Sequence, residues 1–131
     1  MTSEVTVGGL PLPALLAQLL GNGTWKVPTR EGVLEEVFGE APDFSVRFYA
    51  LDEMDGITHG LSQERAELWL GTPPNDIDPT LTVAIGQLGI DRPFALDCRT
   101  EPPSVRFLTI DEGWRLVAQS FEDLALHLGL S

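Results

Sequence analysis

The side chains whose types and spacing could do chemistry fall into two acidic groups. In the first, Asp76, Asp78 and Thr80 place oxygen donors at every second position, as the start of a calcium loop does. The pattern then breaks. Leu81 stands where that loop needs glycine for a sharp turn, and Gln87 stands where it needs a bidentate glutamate. In the second group Asp52, Glu53 and Asp55 are followed by Glu64 and Glu67. Acid–base work by two carboxylates requires environments different enough to separate their pKa values. A polar segment gives them one shared, solvated environment, so the expectation is an exposed anionic face and not a glycosidase-type pair. Turnover of a glycoside or phosphoester, lost when Asp52 or Asp76 becomes asparagine, would revive a small hydrolase.

Other searches for chemistry fail. His59 and His127 lie far apart, outside any H-E-x-x-H, and His127 falls in the last turn of a helix, where positive charge complements the dipole. Gly8 and Gly9 lack the lysine and the preceding strand of a phosphate loop. Ser62 and Ser120 lack a nucleophile elbow. One cysteine, Cys98, gives neither a disulfide nor a paired zinc spacing, and it reads as a small buried hydrophobe. Asp97 alternates with Phe94, Leu96 and Cys98 and so points away from them, beside Arg99, in a polar or ion-paired patch on a sheet. Trp25 and Trp114 read as core or cleft residues, and Trp69, alternating away from Leu68 and Leu70, as a candidate exposed anchor. No catalytic residue, metal or cofactor is expected.

Charge is the strongest compositional signal. Eight basic residues against twenty acidic ones give a formal net charge of −12. Such a chain is repelled by phosphate backbones and anionic membranes, and it attracts a basic protein. The acidic residues concentrate between Glu31 and Asp78, where Arg47 and Arg65 alone offset them. The apolar run Leu12–Leu20 is too short to span a bilayer and has no basic region before it, so a cytoplasmic location is expected.

A chain of 131 residues is the size of one ordinary domain. Met1–Gly9 reads as a loose tail, and 10–131 as a single domain. The spacing predicts a helix over Pro13–Leu20 stopped by Gly21, and a second after Thr29 as N-cap, with Val33, Leu34, Val37 and Phe38 on one face and Gly39 at its end. Alternation from Ser45 to Ala50 predicts a strand with Val46, Phe48 and Ala50 on one side. Asp52–Gln63 reads as an acidic loop, Glu64–Ala66 as a helical turn, Leu68–Leu70 as a short strand and Thr72–Pro79 as a turn-rich loop. Further strands are expected at Leu81–Ile85, from Pro93 to Cys98 and around Val105–Thr109, with Gly86–Asp91 connecting the first two. These connections are too short for crossover helices, so the neighbours are antiparallel. Trp114–Ala118 is a final strand or the lead into the last helix. That helix has Ser120 as N-cap, Asp123 three residues on, a stripe of Phe121, Leu124, Ala125 and Leu128, and Gly129 as its stop. The class is α+β, a mostly antiparallel sheet flanked by helices.

Several of these signals together resemble the SUKH superfamily, which holds bacterial toxin-immunity proteins and yeast regulators of cell-wall synthesis. They are Ile85-Gly86, Leu96-Asp97, Pro102-Pro103, the strand Val105–Leu108, Trp114 and the helix start Ser120-Phe121-Glu122, with Leu70-Gly71-Thr72-Pro73 upstream. The resemblance covers the last half of the chain best. Members commonly carry an aspartate after the Ile-Gly pair, where this chain has Gln87. The resemblance implies an α+β domain with a cleft for partner binding and no enzymatic activity. It implies an immunity protein that occludes a basic toxin domain, or a regulatory adaptor of the yeast kind. The expected contact face is Asp52, Glu53, Asp55, Asp76 and Asp78, with Trp69 as anchor.

Overall fold

The computed structural model describes residues 6–7, 9–29, 32–62, 77–78, 81–89, 92–109 and 113–130, the side chains of 58–62 excepted. The expected Glu64–Ala66 turn, the Leu68–Leu70 strand and most of the Thr72–Pro79 loop lie outside the described residues, as do Trp69 and Asp76.

The first described residues form a small ladder. Strand β1 (Thr6–Val7) pairs antiparallel with β2 (Leu10–Pro11), and Val7 is buried. Thr6 and Val7, expected in a loose tail, are thus held in a ladder, while residues 1–5 and 8 of that tail lie outside the described residues. Helix α1 (Ala14–Gly21) follows, with Pro13 at its N-cap and Leu16 and Leu19 buried. Helix α2 (Val33–Phe38) buries Val33, Leu34 and Phe38. Its N-cap is Gly32 at φ 81°, not Thr29, and no side chain caps it. Gly39, also left-handed, ends it as expected.

Strand β3 is only Arg47–Phe48, shorter than the alternation suggested. Tyr49, placed by that alternation on the face opposite Phe48, is fully buried, and Ala50 is exposed. The largest correction follows. Leu51–Ser62 is helix α3 and not a loop. Asp52, Gly56 and Gly60 all score poorly inside helices. Acidic side chains nevertheless suit a first helical turn, and the Glu53 carboxylate accepts the Ala50 backbone N–H at 3.0 Å, the returning half of a capping box. Met54, completely buried, supplies the packing that propensity does not, and the helix lies chiefly against β4.

Strands β4 (Thr82–Gly89), β5 (Arg92–Asp97), β6 (Ser104–Leu108) and β7 (Trp114–Ala118) complete a five-stranded antiparallel sheet in the order β3-β4-β5-β6-β7. Strand β4 runs to Gly89, where a connection from Gly86 was expected. The register against β5 shifts between Ala84 and Gly86 and again between Gln87 and Gly89. These irregularities let the strand continue opposite Pro93, which cannot donate to a ladder. The two residues left out of that register are used elsewhere: the Ile85 carbonyl accepts from Tyr49 N–H and the Leu88 carbonyl from Asp43 N–H, both at 3.0 Å.

Helix α4 (Phe121–Leu128) is capped by Ser120, whose hydroxyl accepts from Asp123 N–H at 3.2 Å, and ends at Gly129 in the left-handed region. It buries Phe121, Leu124, Ala125 and Leu128, the stripe read from the sequence. One sheet face meets the helices through rings. Phe94 and Phe107, paired across β5 and β6, pack on Phe38 at 4.8 and 5.4 Å, and Trp25 lies between Phe48 (4.4 Å) and Phe121 (5.4 Å). Phe38, Phe94, Phe107 and Phe121, all fully buried, each contribute about 1.5–3 kcal/mol by leaving water. Arg115 on β7, the cross-strand partner of Phe107 on β6, donates to the Phe38 carbonyl at the end of α2. No described helix is long and apolar enough to cross a membrane.

Candidate functional site

The acidic residues between Glu31 and Asp78 divide by what they touch. Glu40 and Asp43 are bound inward. Arg92, at the start of β5, reaches Glu40 Oε1 at 3.2 Å and Asp43 Oδ2 at 3.3 Å, and also donates to the Ala41 carbonyl. The other Asp43 oxygen accepts Ser45 N–H at 2.7 Å and the Ser45 hydroxyl at 2.6 Å. The Ser45 hydrogen bonds, with Arg92 adding to them against a desolvation cost, hold the Asp43 carboxyl below its ordinary pKa. The turn from Asp43 to Val46 is closed by Val46 N–H on the Asp43 carbonyl, and Gln87 Nε2 donates to the Ser45 carbonyl at 2.8 Å.

Of the predicted contact residues, Asp52, Glu53 and Asp55 come together on the first turn and a half of α3. Glu53 has structural work: it caps Ala50 and pairs with Arg47, whose guanidinium sits 5.8 Å from the centre of the Tyr49 ring. Asp52 and Asp55 are exposed, three residues apart on one helix face, with no ion-pair partner among the described residues. Asp78 is half-buried just before β4, where its carbonyl accepts Leu81 N–H at 2.9 Å and the Thr82 hydroxyl at 2.6 Å. Among the described residues no three His, Cys, Asp or Glu side chains are grouped so as to hold a metal ion.

Tyr49 and Gln87 form a polar pair that the sequence did not reveal. The Tyr49 hydroxyl donates to Gln87 Oε1 at 2.7 Å, and burial, only partly offset by Arg47, pushes the phenol up to about 12. Gln87 thus ties β4 to the Ser45 turn through one amide. The second polar cluster was legible. Asp97, 2% exposed, accepts from Arg99 through both oxygens and from Arg106 Nε, all at 2.9 Å. Burial raises its pKa, but hydrogen bonds and charge from Arg99, with the charge of Arg106, more than reverse that and leave it lowered. Thr82 and Ser104 flank it at paired positions on β4 and β6. Next to it, burial and then the Asp97 charge push the Cys98 thiol up to about 11. Cys98 lies in a surface cavity of about 370 Å³ with Leu10, Leu12, Pro102, Pro103 and Glu122. A thiol held protonated in this way is a poor nucleophile.

Asp78 apart, the described carboxylates are either paired with arginine, engaged in capping, or turned to solvent. Compared with models of protein families, with curated proteins and with solved structures, the chain finds no match.

Proposed function

We propose that this chain is a non-enzymatic, cytoplasmic binding protein that docks a basic protein on an anionic surface, and that within this class it is an immunity protein neutralising a cognate toxin domain. The observation that carries the reading is the division of its carboxylates. Glu40, Asp43, Glu53 and Asp97 are engaged by arginine, whereas Asp52 and Asp55 remain exposed at the start of α3 in a chain of net charge −12. Exposed, unpaired carboxylates on a rigid element attract a cationic partner and raise its rate of encounter. The toxin assignment comes from the SUKH-like signals at Ile85-Gly86, Trp114 and Ser120-Phe121-Glu122. Many toxins that attack nucleic acids are basic, and an acidic protein imitates the charge of their substrate.

The test immobilises the wild-type protein and an Asp52→Lys/Asp55→Lys variant, passes native-cell lysate over both at low and high salt, and identifies what is retained. A basic protein held by the wild type, released by salt and lost from the variant supports docking. Co-expression of that protein then decides the finer assignment: growth arrest relieved by this chain supports immunity, and a harmless partner supports a regulatory adaptor. Retention that is equal on both surfaces and indifferent to salt sinks the anionic docking reading.

A further inference from the structure

We propose that the turn at Phe44 is the anchor with which this protein grips its basic partner, a proposal that rests on the docking reading above and names its contact. Phe44 is 96% exposed, the most exposed large apolar side chain among the described residues. A single exposed apolar residue needs no explanation; the rigidity and setting of this one do. The backbone on both sides of the ring is tied down. Asp43 N–H donates to the Leu88 carbonyl, Ser45 N–H and hydroxyl to the Asp43 carboxylate, Val46 N–H to the Asp43 carbonyl, and Gln87 to the Ser45 carbonyl. Arg92 holds the same carboxylate from β5. An aromatic ring already fixed at its backbone loses little further freedom on binding, which is the condition under which burial becomes affinity.

The neighbours of the ring complete a surface. Pro42 and Val46, two residues to either side of Phe44, line a groove of about 500 Å³ together with Val27, Pro28 and Leu34, and Glu35 stands at it. Glu35 and Glu36 are exposed on α2. The surface is therefore a projecting ring, an adjoining apolar groove and carboxylates beside them. A second copy of the chain is a poor occupant, because two bodies of charge −12 repel. A cationic protein with an apolar pocket satisfies every part: its pocket takes the ring, the stems of its lysines or arginines lie in the groove, and their charges meet Glu35 and Glu36.

The test pans a random peptide library displayed on phage against the immobilised protein and measures the enriched peptides, as synthetic peptides, on wild type, Phe44→Ala and Phe44→Trp. The exposed position predicts unchanged melting for both variants. The expected result is peptides combining lysine or arginine with apolar residues, bound alike by wild type and Phe44→Trp and at least about tenfold more weakly by Phe44→Ala. Basic peptides whose salt-sensitive binding is equal on Phe44→Ala overturn the anchor and leave anionic docking standing. Enriched peptides without basic residues, indifferent to salt, remove the docking reading itself. A library that yields no peptide distinguishing the three proteins also overturns the anchor.

Discussion

Arg106 reaches from β6 to Asp97 on β5 and donates its Nε–H to a carboxylate oxygen at 2.9 Å that Arg99 Nη2 also contacts. The aspartate is buried and both arginines keep about a quarter to a third of their side chains in water. Solvent therefore moderates the attraction, while removal of the carboxylate takes the Asp97 charge away from both arginines. Asp97→Asn should cost about 2–3 kcal/mol by urea unfolding at pH 7. The sign with pH follows from the lowered pKa of Asp97. A carboxylate depressed in the folded state contributes stability above its unfolded pKa, near 4, and loses it as pH falls through the lower folded value. Wild type should thus lose stability more steeply than Asp97→Asn as pH falls below about 4. Parallel curves for the two proteins would show that the cluster does not drive the acid transition.

Glu53 and its neighbours Asp52 and Asp55 should separate cleanly by experiment. Glu53 caps Ala50 N–H and pairs with Arg47, so Glu53→Ala should lower stability by about 1 kcal/mol. Asp52→Asn and Asp55→Asn touch no described partner and should stay within about 0.5 kcal/mol of wild type. Denaturant midpoints of the three variants check this. Equal losses at all three positions would place the whole acidic turn in the structural framework and leave none of it for docking.

The contrast between α3 and α4 explains what the sequence could and could not disclose. Helix α4 carries its own start in Ser120, its stripe from Phe121 to Leu128 and its stop in Gly129, all local and all legible. Helix α3 has two glycines, an acidic start and, among its described side chains, one fully buried anchor, Met54, whose contribution comes from packing against β4, a partner about thirty residues later. Strand β4 was legible as a strand, but its extension to Gly89 depends on Tyr49 and Asp43 using the carbonyls of Ile85 and Leu88, which no local pattern announces. The candidate site divides in the same way. The ion-paired character of Asp97 followed from alternation beside Arg99, two residues away. The role of Asp43 depends on Arg92, 49 residues distant, and so the fixed turn that presents Phe44 had no signal beyond an Asp-Phe-Ser tripeptide that could equally begin a strand.

Gly86 marks a close approach. It pairs with Phe48 on one side and Phe94 on the other. A Cβ built there would lie 2.6 Å from Phe94 Cε1 and 3.0 Å from the Arg47 carbonyl oxygen. The ring cannot retreat without disturbing Phe38 and Trp25, which pack on it. Gly86→Ala should therefore cost about 2–3 kcal/mol, in the upper part of the range for overpacked cores. Combining it with Phe94→Leu should return less than the sum of the two single losses, because the smaller side chain vacates the space the methyl group needs. Additive losses in thermal or urea unfolding would show that the clash is with the Arg47 backbone and not with the ring.

Cys98 and Tyr49 together set the behaviour at high pH. Burial, with Asp97 adding to it, raises the thiol to about 11 from an ordinary 9.0, and burial raises the Tyr49 phenol to about 12 from 10.0. Both groups ionise more readily in the unfolded chain. Stability is therefore level while both states keep their protons and falls as pH rises past the unfolded thiol value, with a second, steeper loss once the unfolded phenol ionises. Cys98→Ala should remove the first part of the slope, between about pH 9 and 10, and Tyr49→Phe the later part, at the expense of the hydrogen bond to Gln87. The same protonated thiol should react slowly with an aromatic disulfide reagent at pH 8 in the native protein and rapidly in denaturant, since the thiolate is the nucleophile. Fast native labelling at pH 8 would mean that the cavity around Cys98 stabilises the thiolate, contrary to its neighbour Asp97.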